Sequence, residues 1–152
     1  MRLTIQIKEI DAQTTFAVRH PVLRNGRPLA DCVFEDDDLL SSIHLGAYHQ
    51  GNLIGVLSAY RKKHKKFPTA NGYQIRGVAV LPSYQNKGIG KKLMAEIESL
   101  LCTKKEVLLW LNARESAMAF YKKINYVPLG KPFSIPLIGT HYCFYKLYEK
   151  AH

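Results

Sequence analysis

The chain has 152 residues, which is enough for one domain with a sizeable core, since a domain of about 150 residues buries roughly 70% of its unfolded surface. Hydrophobic residues make up 47% and charged residues 22%, values that exclude disordered, collagen-like and disulfide-framework proteins. The 22 Lys and Arg against 12 Asp and Glu give a formal net charge of +10, which favours nucleotide phosphates, nucleic acid or an acidic surface as partners. We therefore expect a single domain over residues 1–152 with an anionic partner.

Three cysteines, Cys32, Cys102 and Cys143, are too few and too widely spaced for a disulfide framework or a Cys-x-x-Cys metal site. A reducing cytoplasm is the expected compartment. Residues 1–8 alternate apolar and polar side chains, which predicts a strand and not a signal peptide. No apolar run approaches the roughly 20 residues that span a bilayer, so no membrane partner is expected.

The next part of the chain predicts a short helix and a long loop. The helix should be capped by Thr14 or Thr15 and should end or bend at Pro21. Residues 25–38 predict a loop, because they contain Gly, Pro and an acidic run over 35–38. Loops of this length are often functional.

A β-hairpin and a central strand are predicted in the middle of the chain. Residues 42–49 and 53–60 flank a tight Gln-Gly-Asn turn, which is typical of a hairpin. The five cations within 61–68 repel one another and favour a solvated loop. The apolar run within 73–81 predicts a buried central strand that ends before a proline.

The second half of the chain alternates strands and helices. Helical spacing of apolar residues predicts an amphipathic helix over 88–102, with Leu100 on its apolar side. A short buried strand over 107–111 and a helix over 116–124 should follow. Two further strands, near 127 and over 141–148, should complete the sheet.

One stretch carries chemical information: residues 85–92, Gln-Asn-Lys-Gly-Ile-Gly-Lys-Lys, lie between the central strand and the amphipathic helix. The first turn of a helix leaves about four backbone N–H groups unpaired and carries roughly half a positive charge, so it can bind phosphate. Gly88 and Gly90 lack the Cβ atoms that would block a close approach. Lys87, Lys91 and Lys92 oppose the helix dipole until a polyanion binds, so a phosphate ligand is predicted here.

Two familiar phosphate motifs do not fit these residues. A Walker A loop needs a glycine where Gln85 stands, and its Lys-Ser/Thr ending is replaced by Lys91-Lys92. A dinucleotide fingerprint needs a glycine where Leu93 stands. The remaining pattern, Gln-x-x-Gly-x-Gly after a Val-Ala-Val strand, resembles the coenzyme A pyrophosphate loop of the GNAT (GCN5-related N-acetyltransferase) superfamily.

The downstream chain agrees with this resemblance. GNAT proteins follow the helix with a short strand and a helix whose Ala-x-x-x-Tyr pattern precedes Gly-Phe, and here residues 117–121 precede Asn125-Tyr126. Asn125 replaces the glycine and tolerates positive φ. Residues 109–114 and 130–142 are similar to a bacterial GNAT subgroup of unassigned substrate.

The resemblance implies a GNAT-type α/β fold, with a mixed twisted sheet of about six to seven strands flanked by helices. Acetyl-CoA would lie in a gap between the strands that contain Val78 and Val107, where it pairs with the first strand and is held by the amides that follow. The implied cofactor-binding residues are Val78, Ala79, Val80, Gln85, Asn86, Lys87, Gly88, Ile89, Gly90, Lys91 and Asn112. No metal is implied.

The implied reaction is direct attack of a primary amine, from a small molecule, peptide or protein, on the acetyl carbonyl in a ternary complex. Tyr121 would protonate the departing thiolate, while a backbone N–H of the central strand polarises the carbonyl. Tyr121 could instead be a core aromatic, and Asn112 could cap the following helix instead of contacting pantetheine.

The general base is not assigned by the resemblance, because residues 73–77 offer no carboxylate. His141 has a suitable intrinsic pKa near 6.5, although a lone histidine is more often structural. The acidic run over 35–38 could attract a cationic amine or simply be solvated.

The rival function is a non-catalytic acyl-CoA-sensing or nucleic-acid-binding module on the same fold. Nucleic acid is not favoured, because the basic run over 61–66 lacks interleaved aromatics and matches no known module. The cysteine spacing marks no nucleophile. A homodimer is compatible with the sequence.

Overall fold

A computed structural model of the protein describes residues 3–103 and 106–149. The contacts within the chain define two compact units, one formed by residues up to Tyr60 with Ile75–Leu101 and one by Arg61–Gln74 with the residues from Cys102 onward. A single domain over 1–152 therefore stays a prediction. The predicted first strand partly falls on residues 1–2, which lie outside the described residues.

The first unit contains an antiparallel run of strands. Its strands are β1 (Gln6–Ile10), β2 (Ile43–His49), β3 (Asn52–Arg61) and the second half of β4 (Asn71–Val80), hydrogen-bonded in that order. Both β1–β2 and β2–β3 are antiparallel pairs. Gln50 and Gly51 join β2 to β3 with φ of 51° and 79°, the positive values that a tight hairpin turn needs. The predicted hairpin is confirmed.

Two helices pack against the strands of this unit. Helix α1 (Phe16–Leu23) buries Val18 in a cluster with Val56 and Ala79. Helix α2 (Ile89–Leu101) contacts β3 where a Cβ on Gly55 would lie 3.1 Å from Ile89. Because residues 55 and 56 of a strand face opposite ways, the two helices cover opposite faces.

Three details differ from the sequence-based predictions for these helices. No threonine side chain caps α1, since the Thr15 hydroxyl donates to the Ala12 carbonyl instead. Helix α1 continues through Pro21, which stands in its second turn, to Leu23. Leu100 is 47% exposed and lies outside the apolar face of α2, which consists of Ile89, Leu93, Met94 and Ile97.

The second unit contains both parallel and antiparallel pairs. The first half of β4 pairs in parallel with β5 (Val107–Arg114), through Asn71–Gln74 and Val107–Trp110. Helix α3 (Met118–Lys123) follows, and then β6 (Val127–Pro128), β7 (Phe133–Ile135) and β8 (Gly139–Tyr148), with β8 antiparallel to β5, β6 and β7.

One hydrophobic cluster of the second unit consists of Ala70, Leu108, Trp110 and Cys143. The Trp110 indole donates a hydrogen bond of 2.9 Å to the Lys62 carbonyl. This bond ties the loop after β3 to β5, so the basic run is anchored at its first lysine.

The predicted fold class, a mixed twisted sheet flanked by helices, is confirmed. The described residues form eight strands, one more than the upper end of the predicted count of about six to seven. The extra strand is β7, whose three residues lie between two prolines and form too short a run for a periodic signal.

Candidate acetyl-donor site

The first element of the site is the turn that joins β4 to α2. The Leu81 amide donates to the Ile54 carbonyl (2.8 Å), and Pro82–Tyr84 then form one turn of 3-10 helix. Asn86 and Gly88 have φ of 61° and 83°, so the chain turns sharply just before α2 begins.

Consecutive backbone amides at this turn are available to a ligand. The Gln85 amide donates to the Pro82 carbonyl (3.3 Å), and the Lys92 amide donates to the Gly88 carbonyl (3.1 Å). Between them, no amide from Asn86 to Lys91 donates to an acceptor within the described part of the chain. A Cβ on Gly88 would have no atom within 4 Å, so the position faces open space. This arrangement can hold an anion.

Gln85 was predicted to bind the pyrophosphate, but its amide groups form hydrogen bonds within the protein. Its side-chain amide donates to the Val80 carbonyl (2.9 Å), and its backbone amide is already used within the turn. The amides that are free to bind phosphate therefore begin at Asn86. Gln85 fixes the turn against the end of β4.

The other residues of the first unit that were predicted to bind the donor differ in how deeply they are buried. Ala79 and the Ile89 side chain are buried, whereas Val78, Val80 and Gly90 are half-buried. The lysines at the start of α2, Lys87, Lys91 and Lys92, are exposed. The site therefore combines an apolar strand with a positively charged helix terminus.

Tyr121, the predicted acid, lies on α3 in the second unit and is only 8% exposed. Its ring packs against Phe120, Tyr126 and Phe144, with centroid distances of 4.9, 6.0 and 6.2 Å. Burial raises the pKa of Tyr121 to about 12. The ring is therefore a core aromatic, and its hydroxyl stays protonated at neutral pH, while its role as the acid stays a prediction.

Asn112 and His141 lie on the paired strands β5 and β8 of the second unit. Asn112 is exposed and, within β5, pairs with Cys143. The residue at the N-cap of the helical turn that follows is Arg114, so Asn112 does not cap it as the alternative proposed. His141 is buried, and its Nδ1 lies 3.0 Å from the Gly139 carbonyl oxygen. A carbonyl only accepts, so Nδ1 is the donor of this hydrogen bond, and Nε2 is the ring nitrogen that this bond does not use.

The predicted residues thus fall in both units, with Val78–Gly90 and Lys91 in the first and Asn112, Tyr121 and His141 in the second. Tyr121 forms no hydrogen bond with Asn112 or His141 among residues 3–103 and 106–149. The roles assigned to these side chains stay predictions.

Sequence analysis missed a buried polar cluster in the first unit, formed by Arg19, Asp37, His44, Ser58 and Tyr60. The Arg19 guanidinium binds the Asp37 carboxylate through two nitrogens, at 2.7 and 3.1 Å. It also donates to the Ser58 hydroxyl (2.9 Å). His44 contacts the Ser58 hydroxyl (2.6 Å) and the Asp37 carbonyl (2.9 Å), so the cluster ties the long loop to the strands.

The charges of this cluster are mutually stabilised. Burial alone would raise the pKa of Asp37, but hydrogen bonds from Arg19, Tyr60 and the Phe34 amide outweigh it and lower the pKa below 3.8. Burial and the bond to Asp37 raise the pKa of Tyr60 to about 12. The acidic run was interpreted as attracting a cationic amine or as simply solvated, but Asp37 is buried while Glu35, Asp36 and Asp38 are exposed.

The described residues contain no group of three or more His, Cys, Asp or Glu placed to hold a metal ion. Within the same residues, no helix is long and apolar enough to cross a membrane.

Comparison with known proteins decides the family. The model of the acetyltransferase (GNAT) family matches residues 7–126. The chain belongs to this family. It is also 32% identical over 142 residues, 93% of this chain and 95% of the relative, to a protein described as the uncharacterized N-acetyltransferase YitI of Bacillus subtilis (strain 168).

Two solved structures show the same fold at low sequence identity. An aminoglycoside 6'-N-acetyltransferase complexed with coenzyme A has a TM-score of 0.73 and 14% identity, covering 97% of this chain and 99% of its own. NAA60 of Arabidopsis thaliana, in complex with a bisubstrate analogue, has a TM-score of 0.72 and 15% identity, covering 97% of this chain and 100% of its own.

Membership of the GNAT family confirms three predictions: the fold, acetyltransferase activity and acetyl-CoA as the cosubstrate. The family match ends at Tyr126, so it covers Tyr121 and the α2 turn but not His141.

Proposed function

We propose that this GNAT acyltransferase moves the acetyl group of acetyl-CoA to a primary amine of a small molecule, peptide or protein, by direct attack in a ternary complex. The open row of amides at the start of α2 carries this proposal, because it provides donors for a pyrophosphate at a positively charged helix terminus. The bisubstrate analogue bound to the plant protein supports a mechanism in which both substrates are bound together.

The donor would be held by backbone and side-chain groups in sequence. The main chain of Val78 to Val80 would pair with the pantetheine arm as an added strand, beyond the part of β4 that pairs with β5. The amides from Asn86 to Lys91 would bind the pyrophosphate, and the exposed lysines of α2 would neutralise it. Asn112 would contact the pantetheine end.

Two side chains would transfer protons. Tyr121, with a pKa of about 12, would donate its proton to the thiolate as the C–S bond breaks. His141 would accept the proton of the amine at Nε2, the nitrogen that the Nδ1–H bond to Gly139 does not use.

We also propose that the protein is bacterial, that it acts in the cytoplasm and that it forms a homodimer. The free thiols of Cys32 and Cys143, which are both buried, support a reducing compartment, and the bacterial relative supports the source. The proposed partners are acetyl-CoA and an amine acceptor, with neither nucleic acid nor a membrane.

Initial rates measured while acetyl-CoA and an amine are both varied test the ternary mechanism. Double-reciprocal lines that intersect are expected, because both substrates must be bound before acetyl transfer. Parallel lines with a trapped acetyl-enzyme would show a covalent intermediate and contradict direct attack.

A further inference from the structure

Arg76 lies on β4, two residues before Val78, and has a guanidinium group without an anionic partner. Its side chain is half-buried and forms no hydrogen bond or ion pair within the described ranges 3–103 and 106–149. Its Cζ lies 5.0 Å from the ring centroid of Phe34 and 5.9 Å from that of Tyr60. The two rings hold the cation in place without neutralising it.

The buried carboxylate bonded to Phe34 and Tyr60 is already occupied. Asp37 accepts two hydrogen bonds from Arg19 and one each from the Tyr60 hydroxyl and the Phe34 amide. These contacts satisfy the carboxylate, and among the described residues no ion pair joins it to Arg76. The Cζ atoms of Arg19, Arg24 and Arg76 lie 3.9, 5.2 and 5.0 Å from the Phe34 ring centroid, so the charge around this ring is positive.

A second donor close to Arg76 has no acceptor. The Nε of Arg19 is buried and is the single buried side-chain nitrogen or oxygen without a hydrogen-bond partner among the residues described. It lies 3.6 Å from the position that a Cβ would take on Gly77, the residue after Arg76. Buried donors are rarely left unmet, so this position favours a ligand that carries an acceptor oxygen.

The location of Arg76 places it within reach of an acceptor. A strand rises about 3.3 Å per residue, so its Cα lies within about 7 Å of that of Val78, beside which the acetyl group would be held. An amine that attacks there would have its neighbouring atoms close to Arg76. A guanidinium binds carboxylates and phosphates through two parallel hydrogen bonds.

We infer that Arg76 binds an anionic group of the acceptor, so that the acceptor is an amine that also carries a carboxylate. This inference rests on the proposed function, because it places the acceptor beside the proposed acetyl position. It also bears on the alternatives left open for the acidic loop, attraction of a cationic amine or simple solvation, since the buried member of that loop is paired with Arg19.

The test compares L-amino acids with their amides as acceptors, with rates expressed per unprotonated amine, because amidation removes the negative charge and also lowers the pKa of the amino group. With the wild-type protein, kcat/KM should favour the carboxylate by about 10-fold to 100-fold, the range of one charge-assisted hydrogen-bond pair. Arg76→Gln should remove this preference mainly through KM, and Arg76→Lys should restore part of it. Arg61→Gln, which removes an equal charge from an exposed site, should leave the preference unchanged.

Binding of acetyl-CoA, measured by calorimetry on each variant, separates the proposed acetyl transfer from the proposed role of Arg76. A protein that does not bind acetyl-CoA contradicts the proposed function. A protein that binds it but acetylates amides as well as acids, or acetylates no carboxylate-bearing amine in a panel of the twenty amino acids, overturns the role of Arg76. Loss of the preference in Arg61→Gln as well would also overturn it, because net charge would then explain the effect.

Discussion

At the scale of single residues, the environment of Tyr121 fixes both its packing and the protonation state that its proposed role needs. The apolar rings around it exclude water, and this burial raises the pKa of its phenol to about 12. The hydroxyl therefore stays protonated throughout the neutral range. A group in that state can donate a proton to a thiolate, but it cannot act as a base.

Replacing Tyr121 by Phe should lower kcat by about 10²–10⁴-fold, the usual contribution of a general acid, while acetyl-CoA affinity changes little. Steady-state kinetics under conditions where chemistry limits turnover would measure this. Tyr126→Phe is the matched control in the same aromatic cluster and should keep kcat near the wild-type value. A kcat of Tyr121→Phe within about threefold of wild type would reduce Tyr121 to a packing residue.

Asp37 and Arg19 form a buried pair whose loss should be costly. Asp37→Asn should lower the free energy of unfolding by about 3–5 kcal/mol at pH 7, because it leaves the Arg19 charge unpaired. Urea denaturation would measure the change, with Asp38→Asn as the exposed control from the same run. A loss equal to that of the control would show that the pair contributes nothing.

The same variant should also change the pH dependence of stability. The pKa of Asp37 is lower in the folded chain than its ordinary 3.8, so the pair stabilises the fold above that pH and its contribution is lost as the pH falls through the folded pKa. The difference between wild type and Asp37→Asn should therefore shrink below pH 3.8. A constant difference between pH 7 and pH 2.5 would contradict this assignment.

At the scale of elements, the turn before α2 depends on one glycine. Gly88 has a φ of 83°, a value that glycine adopts freely and asparagine tolerates, and its missing Cβ leaves the row of amides open. Any side chain at this position strains the backbone, so the effect of charge is tested by comparing two substitutions of similar shape.

Gly88→Asp should abolish binding of acetyl-CoA, because a carboxylate would stand where the pyrophosphate binds. Gly88→Asn has nearly the same shape without the charge and should bind measurably, though more weakly than wild type. Calorimetric titration and circular dichroism would give affinity and folding for each. Undiminished binding by Gly88→Asp would place the donor elsewhere.

The elements differ in how well the sequence predicts them. Helix α2 is predicted to within a residue at each end, because thirteen residues give a clear helical period and glycines mark its start. Strand β5 was predicted to end at 111 but continues to Arg114, since its pairing with β8 and not its own apolar run sets its length. A local sequence pattern predicts whether an element is a helix or a strand more accurately than it predicts the residues at which the element begins and ends.

The buried polar cluster around Arg19 and Asp37 could not be predicted from the sequence, for a related reason. Asp37 is one of four consecutive acidic residues, and only its pairing with Arg19, eighteen positions earlier, distinguishes it from its exposed neighbours. Such a contact depends on tertiary structure and leaves no local pattern. The turn proposed to hold the donor, in contrast, has a sequence signal because its glycines and lysines are adjacent in the chain.

At the scale of the whole molecule, the net charge of +10 agrees with an anionic donor and, through Arg76, with an anionic acceptor. The exposed lysines at the start of α2 and the half-buried arginine of β4 belong to the same unit. The fold and the family account for acetyl-CoA, whereas the acceptor depends on side chains particular to this chain.

Amine-dependent release of free coenzyme A thiol from acetyl-CoA tests the central claim most directly. The account predicts that the wild-type protein releases one thiol for each amine that gains the mass of an acetyl group, and that Gly88→Asp releases none above background. A folded wild-type protein that binds acetyl-CoA but releases no thiol with any amine of the panel would contradict the account and favour an acyl-CoA sensor on the same fold.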